Sequence, residues 1–248
     1  MRRLSTVSVL SILLLASCAM SRPASMEVCD CQRTVRVPDK AFRDWLIDNG
    51  LALKAHGKYL RATPEGCAAT KLECYDQGIR SLEGIELFPQ LEQLTCSDNP
   101  ISELNVNALP RLQRLYGVNL PLERFEADSC HDLRVIQLSH TLLDTLDLTP
   151  FPFLESLFCI YSPLRAIDLA PCPHLRTLYI RFTHIREVDL TPCHDFWQLH
   201  ALDTPLRAVT VTNEQYLSET LRVSVEDTVK IIVKQQEIPK HQPTSTSY

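Results

Sequence analysis

From Leu91 onward the apolar residues recur as L-x-x-L-x-Φ-x4-Φ-x-x-Φ-x-Φ-x5, where Φ is apolar. The first copy uses Leu91, Leu94, Cys96, Ile101, Leu104 and Val106, and the second Leu112, Leu115, Gly117, Leu122, Phe125 and Ala127. Further copies open at Leu133, Leu154, Leu175 and Phe196, each 21 residues after the last, and a 22-residue copy carries Leu72, Cys74, Ile79 and Leu82. An uninterrupted period of this length is the signature of a repeat architecture. Each repeat holds two short alternating stretches, for example 175–180 and 185–190, in which neighbouring side chains point to opposite faces as in a strand. One coil cannot bury its own apolar edge, but coils stacked about 4.8 Å apart bury a continuous core. The pattern predicts a β-rich solenoid of about seven coils, extended or single-turn on both sides and flatter than a helix-backed repeat protein.

The ends depart from the period. Asp39 is a suitable helix N-cap, Phe42, Trp45 and Leu46 fall on one helical face, and Asn49-Gly50 supplies a stop, which predicts a small helical N-terminal cap over 37–71. At the other end, Asn213 is expected to cap a short helix over Glu214 to Thr220. Val223, Val225, Val229, Ile231 and Val233 then read as strands of a β-rich C-terminal cap over 212–236. Residues 237–248 are polar and Pro-containing, the composition of a disordered tail. At the front, Met1-Arg2-Arg3, the apolar stretch from Leu4 to Leu15 and the small residues after it have the pattern of an export signal over 1–17. That stretch is too short to span a bilayer, and no second run of about 20 apolar residues occurs. Residues 18–36 have the composition of a flexible tether.

The segment Leu91-Glu-Gln-Leu94-Thr-Cys96-Ser-Asp-Asn99-Pro-Ile101 resembles the phrase of leucine-rich repeats. It is similar to the short type found in surface lipoproteins of Bacteroidetes and related to internalins, and the resemblance covers about 35–221. It implies a leucine-rich-repeat right-handed superhelix over 72–211, and Val37-Pro38-Asp39-Lys-Ala-Phe42 resembles the opening of that family's helical cap. Leu15-Ala16-Ser17-Cys18 looks like a lipobox, which implies lipidation of Cys18 and a membrane-anchored protein of the bacterial cell envelope, at the periplasmic or surface face of the outer membrane. Ordinary cleavage after Ala19 is the alternative. Two features depart from the family. The stretch from Lys54 to Arg61 lacks the Asp, Asn and Gly of a calcium loop, and the later repeats replace the corner Asn, so no regular Asn ladder is expected beyond Asn99.

Composition then narrows the chemistry. The chain has 248 residues with 38 Leu, only 6 Gly and a net charge of -5. So few glycines, none after Gly117, leave no material for a phosphate-cradling loop, and singly scattered basic residues give no nucleic-acid footprint. No G-x-S-x-G or H-E-x-x-H motif occurs, so the expectation is a monomeric binding protein without enzymatic activity, cofactor or metal.

Residues 21 apart stack into columns. The outward strand column Thr95, Tyr116, Gln137, Phe158, Tyr179 and His200, flanked by columns holding Ile160, Arg181, Arg134, Arg176 and Trp197, presents aromatics ringed by arginine. That is the composition of a protein-binding hot spot. The candidate partner-binding set is therefore Tyr116, Arg134, Phe158, Ile160, Arg176, Tyr179, Arg181, Trp197 and His200, for a protein or peptide ligand or a surface glycan. The alternative is that the aromatics serve cross-strand packing alone. On the return side Asn105, Glu126, Asp147, Asp168, Asp189 and Thr210 form an acidic column, for which Arg165, Arg186 and Arg207 just upstream are the expected partners. Cys74, Cys96 and Cys159 point inward, and Cys130, Cys172 and Cys193 share a corner column, so buried thiols are expected there. Cys29, Cys31 and Cys67 near the cap are the better disulfide candidates.

Overall fold

The structure, a computed structural model, describes residues 33–234. The export signal, Cys18, Cys29, Cys31 and the tail lie outside the described residues. The chain opens with β1 (Thr34–Arg36), α1 (Lys40–Asp48), β2 (Ala52–His56), β3 (Tyr59–Ala62) and α2 (Pro64–Cys67). The Asp39 carboxylate accepts from Phe42 N at 2.8 Å and from Arg80 N at 3.0 Å, so one side chain starts α1 and ties it to the first coil. Asn49 closes α1 and Gly50 takes φ 69°, as the Asn-Gly pair implies. Phe42 and Leu46 are buried with Val35, Val37 and Leu60, covering the open end of the stack.

Two expectations need correction here. The cap is not purely helical, because β1, β3 and β2 form an antiparallel sheet in that order, and the stretch without calcium ligands is its hairpin. The expected tether also runs three residues too far, since Thr34–Arg36 pairs with Tyr59–Arg61 and buries Val35.

The solenoid body is an eight-stranded parallel sheet. Its strands are β4 (Lys71–Glu73), β5 (Gln93–Thr95), β7 (Arg114–Tyr116), β9 (Val135–Gln137), β10 (Ser156–Phe158), β11 (Thr177–Tyr179), β13 (Gln198–His200) and β15 (Arg222–Ser224). From β5 to β13 the register advances by the 21-residue period: Thr95, Tyr116, Gln137, Phe158, Tyr179 and His200 are aligned partners. The return side holds β6 (Glu103–Asn105) with β8 (Arg124–Glu126), and β12 (Glu187–Asp189), β14 (Ala208–Thr212) and β16 (Lys230–Lys234) as a second parallel group. The inward positions Leu72, Leu94, Leu115, Ile136, Leu157, Leu178 and Leu199 are all buried, so the leucine excess is the inner edge of the stack.

At the C-terminal end α3 (Asn213–Leu217) is capped by Thr212 rather than Asn213, through a capping box in which Thr212 and Gln215 bond reciprocally. Asn213 is displaced because Gln215, three residues after Thr212, can reach back to Thr212 N at 2.9 Å. The same Gln215 donates to the carbonyls of Leu190 and Cys193, which also accept from Cys193 N and Phe196 N, and so ties the end of the stack to the coil before it.

Between the two sides each coil turns through a left-handed residue. Asp76, Asp98, Asn119, His140, Tyr161, Phe182 and Asp203 all have φ between 53° and 59°. From Asp76 to Tyr161 their N–H groups continue the ladder past the strands, as in His140 to Ile160 O and Tyr161 to Arg181 O, while Asp203 N donates to the Glu226 carboxylate. From Asp98 onward the residue that follows points inward. Asn99 there accepts from Gln77 N and Ile79 N and donates to the carbonyls of Cys74, Cys96 and Ser97. In later coils Thr141, Ser162, Thr183 and Thr204 each donate one hydroxyl to the carbonyl three residues back. A single hydroxyl thus replaces the five-bond amide.

Candidate protein-binding face

The outward column of the parallel sheet divides at Gln137. Phe158, Tyr179 and His200 stack in sequence, with ring centroids 5.0 and 4.3 Å apart, whereas Tyr116 is separated from them by a non-aromatic rung. Ile160 and Arg181 occupy the next outward column beside this stack. Arg134, Arg176 and Trp197 lie on the opposite flank, three residues before the aromatic column, and Trp197 is 40% exposed. The candidate set is therefore a contiguous group of five, a separate flank of three, and Tyr116 two coils before Phe158.

A second aromatic ladder adjoins the first, and the sequence reading missed it. His140, Tyr161 and Phe182, at the left-handed corner, stack with centroids 4.6 and 4.1 Å apart. Tyr161 is 48% exposed. The signal was the same 21-residue spacing, one position beyond Ile160, in a column whose other members are Asp and Asn. Together the two ladders make a surface of aromatic edges with the Ile160 and Arg181 column between them.

Ring orientation decides what this surface offers. In the corner ladder neighbouring planes differ by 23° and 10°, so the ring faces cover each other and the edges meet solvent. The far face of Phe182 is taken by the Arg181 guanidinium, 5.1 Å from its centroid. Sugars stack on open ring faces, so this geometry gives the glycan expectation no support. Edges carry the positive end of the ring quadrupole and suit carbonyl and carboxylate oxygens as well as apolar groups.

The arginines are not free. Glu155 lies between Arg134 and Arg176 at 2.9 and 3.6 Å, and Arg181 bonds Asp203 at 2.7 Å. The Arg181 Nε is buried without a hydrogen-bond partner, the one such side-chain atom among the described residues.

The other columns resolve differently from expectation. The return-side carboxylates do not pair with Arg165, Arg186 and Arg207. Asp147, Asp168 and Asp189 instead accept the N–H two residues on, each closing its own turn. Hydrogen bonds from Thr149 hold the Asp147 carboxyl below the usual range. Burial pushes Asp189 the other way, but Lys234 and Thr191 outweigh it and its carboxyl is lowered. Glu126 accepts from Asn105 at 2.6 Å.

Cys74, Cys96, Cys130, Cys159, Cys172 and Cys193 are buried free thiols. Burial pushes Cys74, Cys130, Cys159, Cys172 and Cys193 up to about 12, and raises Cys96 as well. Cys67 is disulfide-bonded. His174, beside Cys172 in sequence, faces Phe153 and lies 3.7 Å from Asp195.

No family model and no curated protein matches this chain. Among solved structures, the functional domain of InlJ from Listeria monocytogenes, which includes a cysteine ladder, is similar with a TM-score of 0.56 and 22% identity. The match covers 66% of this chain and 41% of that one, so the chain spans less than half of its length. Two internalins of the same species, InlF and InlC2, are 16% identical with TM-scores of 0.49; the matches cover 81% and 80% of this chain and 71% and 93% of theirs.

Proposed function

We propose that this leucine-rich-repeat solenoid is an exported, lipid-anchored binding module rather than an enzyme, and that its ligand is a protein or peptide docking on the paired aromatic ladders. The observation that carries this reading is the contiguity of Phe158, Tyr179 and His200 with His140, Tyr161 and Phe182, aromatic edges left exposed on a rigid sheet. The anchor rests on Cys18 of the lipobox-like segment and places the protein in the cell envelope. A spacer without a specific ligand is the second reading, favoured by the arginines that Glu155 and Asp203 already hold.

A displayed peptide library selected on the immobilised protein separates the two. The Tyr179→Ala/Trp197→Ala variant should lose the selected peptides while keeping the wild-type melting transition. Equal retention by that variant removes the proposed face, and a library that yields no enrichment supports the spacer. Metabolic labelling with a fatty-acid analogue tests the anchor, which unlabelled wild-type protein would exclude.

A further inference from the structure

The two ends of the stack differ. Phe42 and Leu46 of α1 cover the first coil, whereas the last coil leaves Tyr216 57%, Leu217 69%, Ile231 40%, Ile232 47% and Val233 37% exposed. An open hollow of about 300 Å³ there is lined by Val211, Tyr216, Ser218, Leu221, Val223 and Ile231. A terminal repeat needs a polar outer face to stay soluble alone, so an apolar one calls for a cover. The same end carries an open strand edge, because β16 is the last strand in the order β12, β14, β16. Its pairing with β14 uses Lys230, Ile232 and Lys234, as in Lys230 N to Arg207 O at 2.9 Å. Ile231 and Val233 therefore turn their N–H and C=O groups to the edge.

We propose that a second copy of this chain covers this end, with β16 pairing antiparallel to β16 about a two-fold axis at Ile232. The strand reads Lys230-Ile-Ile-Val-Lys234, close to a palindrome, so the axis sets Ile231 opposite the second copy's Val233. Those are the residues whose backbone groups face the edge, and each such pair exchanges both its N–H···O bonds while the two Ile232 side chains meet between them. Lys234, which faces the second copy's Lys230, turns its charge away, because its Nζ reaches across β14 to Asp189 at 2.7 Å. The five exposed side chains supply on the order of 450 Å² per chain, of the roughly 600–1,000 Å² that each partner of a stable interface contributes. Leu221, Val223 and the edge backbone lie beside them and add to it. Residues 235–248 are a poorer cover, since their large apolar side chains are Ile238 and Tyr248 alone and Pro239 and Pro243 cannot donate to a ladder. The interface shares no residue with the aromatic face, and it replaces the monomer expected from the sequence by a dimer.

Cysteine cross-linking of the full chain in intact cells, read on a non-reducing gel, tests the register. Ile232→Cys places two thiols on the axis with Cα atoms about 4.5 Å apart, within reach of a disulfide, and should give a dimer band. Thr210→Cys is aligned with Ile232 one strand further in, about 14 Å from its copy, and should give none, like wild type. Sedimentation equilibrium of the full chain in density-matched detergent then measures the affinity without any contribution from an acyl anchor. Ile232→Lys, at an exposed position, should keep the wild-type melting transition and associate at least tenfold more weakly, while Tyr179→Ala/Trp197→Ala should dimerise like wild type. Equal cross-linking at 210 and 232, or equal dimerisation of Ile232→Lys and wild type, overturns the interface. A wild-type chain that stays monomeric up to about 100 μM, as it would if residues 235–248 covered the end, overturns it as well. A dimer lost only in Tyr179→Ala/Trp197→Ala overturns it by moving the contact to the aromatic face.

Discussion

Asn99→Ala tests whether the inward corner residue holds the coils in register. The Asn99 side chain is 2% exposed and makes five hydrogen bonds, four of them at 2.7 to 3.0 Å, to backbone groups of its own coil and the coil before it. Alanine leaves the Gln77 and Ile79 N–H groups and the Cys74 and Cys96 carbonyls without this partner. At about 1 kcal/mol net per bond, the loss is about 4 kcal/mol. For a domain of this size that lowers the melting temperature by roughly 8–16 °C. Thr183→Val removes one bond, 2.8 Å to Ile180 O, from the equivalent position four coils on, with almost no change of shape. Its cost should be about 1 kcal/mol, or roughly 2–4 °C. Differential scanning calorimetry of both variants against wild type gives the comparison. Equal shifts for the two, or a shift for Asn99→Ala below about 1.5 kcal/mol, would show that the amide is not the stronger clamp.

Gly66→Ala should destabilise the cap more than any surface change, because a Cβ there would stand 2.0 Å from Leu51 O; a small shift in urea midpoint would contradict the packing. The six repeat thiols should resist alkylation in the native state at pH 8 and react on unfolding, read by mass spectrometry, and rapid native labelling of Cys159 would refute their burial. Since burial raises all six thiols above 9.0, five of them to about 12, their contribution to stability is complete below pH 9 and lost as pH rises toward 12, so a melting temperature unchanged between pH 9 and 11 would count against it. Non-reducing peptide mapping should find Cys67 bridged to the segment holding Cys29 and Cys31; recovery of Cys67 as a free thiol in unreduced protein would remove the cap staple.

Much of this fold is legible because one number recurs. A fixed period assigns every inward position once a single repeat is read, and Leu94, Leu115, Ile136, Leu157, Leu178 and Leu199 follow with no knowledge of neighbours. Asp39 was legible for a different reason, since an N-cap is a local contact three residues long. The β1 strand was not, because Val35 acquires its strand only by pairing with Leu60, 25 residues away, and no local pattern in three residues records that. The ion pairs were hidden as well. Glu155 and Asp168 sit in comparable columns, yet one reaches two arginines and the other turns back to Ala170 N, a choice of side-chain rotamer and turn geometry that spacing does not contain.

The corner ladder lay beyond the sequence for a stronger reason, because its residues contradict local preference. Asp, Asn and His are tolerated at φ near 57°, but Tyr161 and Phe182 have no short polar group to compensate, and the left-handed conformation costs about 1–2 kcal/mol per residue. The coil imposes that conformation, since the residue after each corner, Ser162 and Thr183, turns inward to close the core, and the Tyr161 N–H reaches the next coil. A bulky aromatic at such a position is retained only if something offsets the strain. The stack itself supplies part, about 0.5–1.5 kcal/mol for an aromatic pair at good geometry. The His140–Tyr161 stack and the Arg181 guanidinium over Phe182 add contacts of similar size, so the ladder and its flanking cation offset much of the corner strain. On the proposed docking face Tyr161 and Phe182 thus stand as a mutually supported pair, with Phe158 and Tyr179 across the Ile160 and Arg181 column from them.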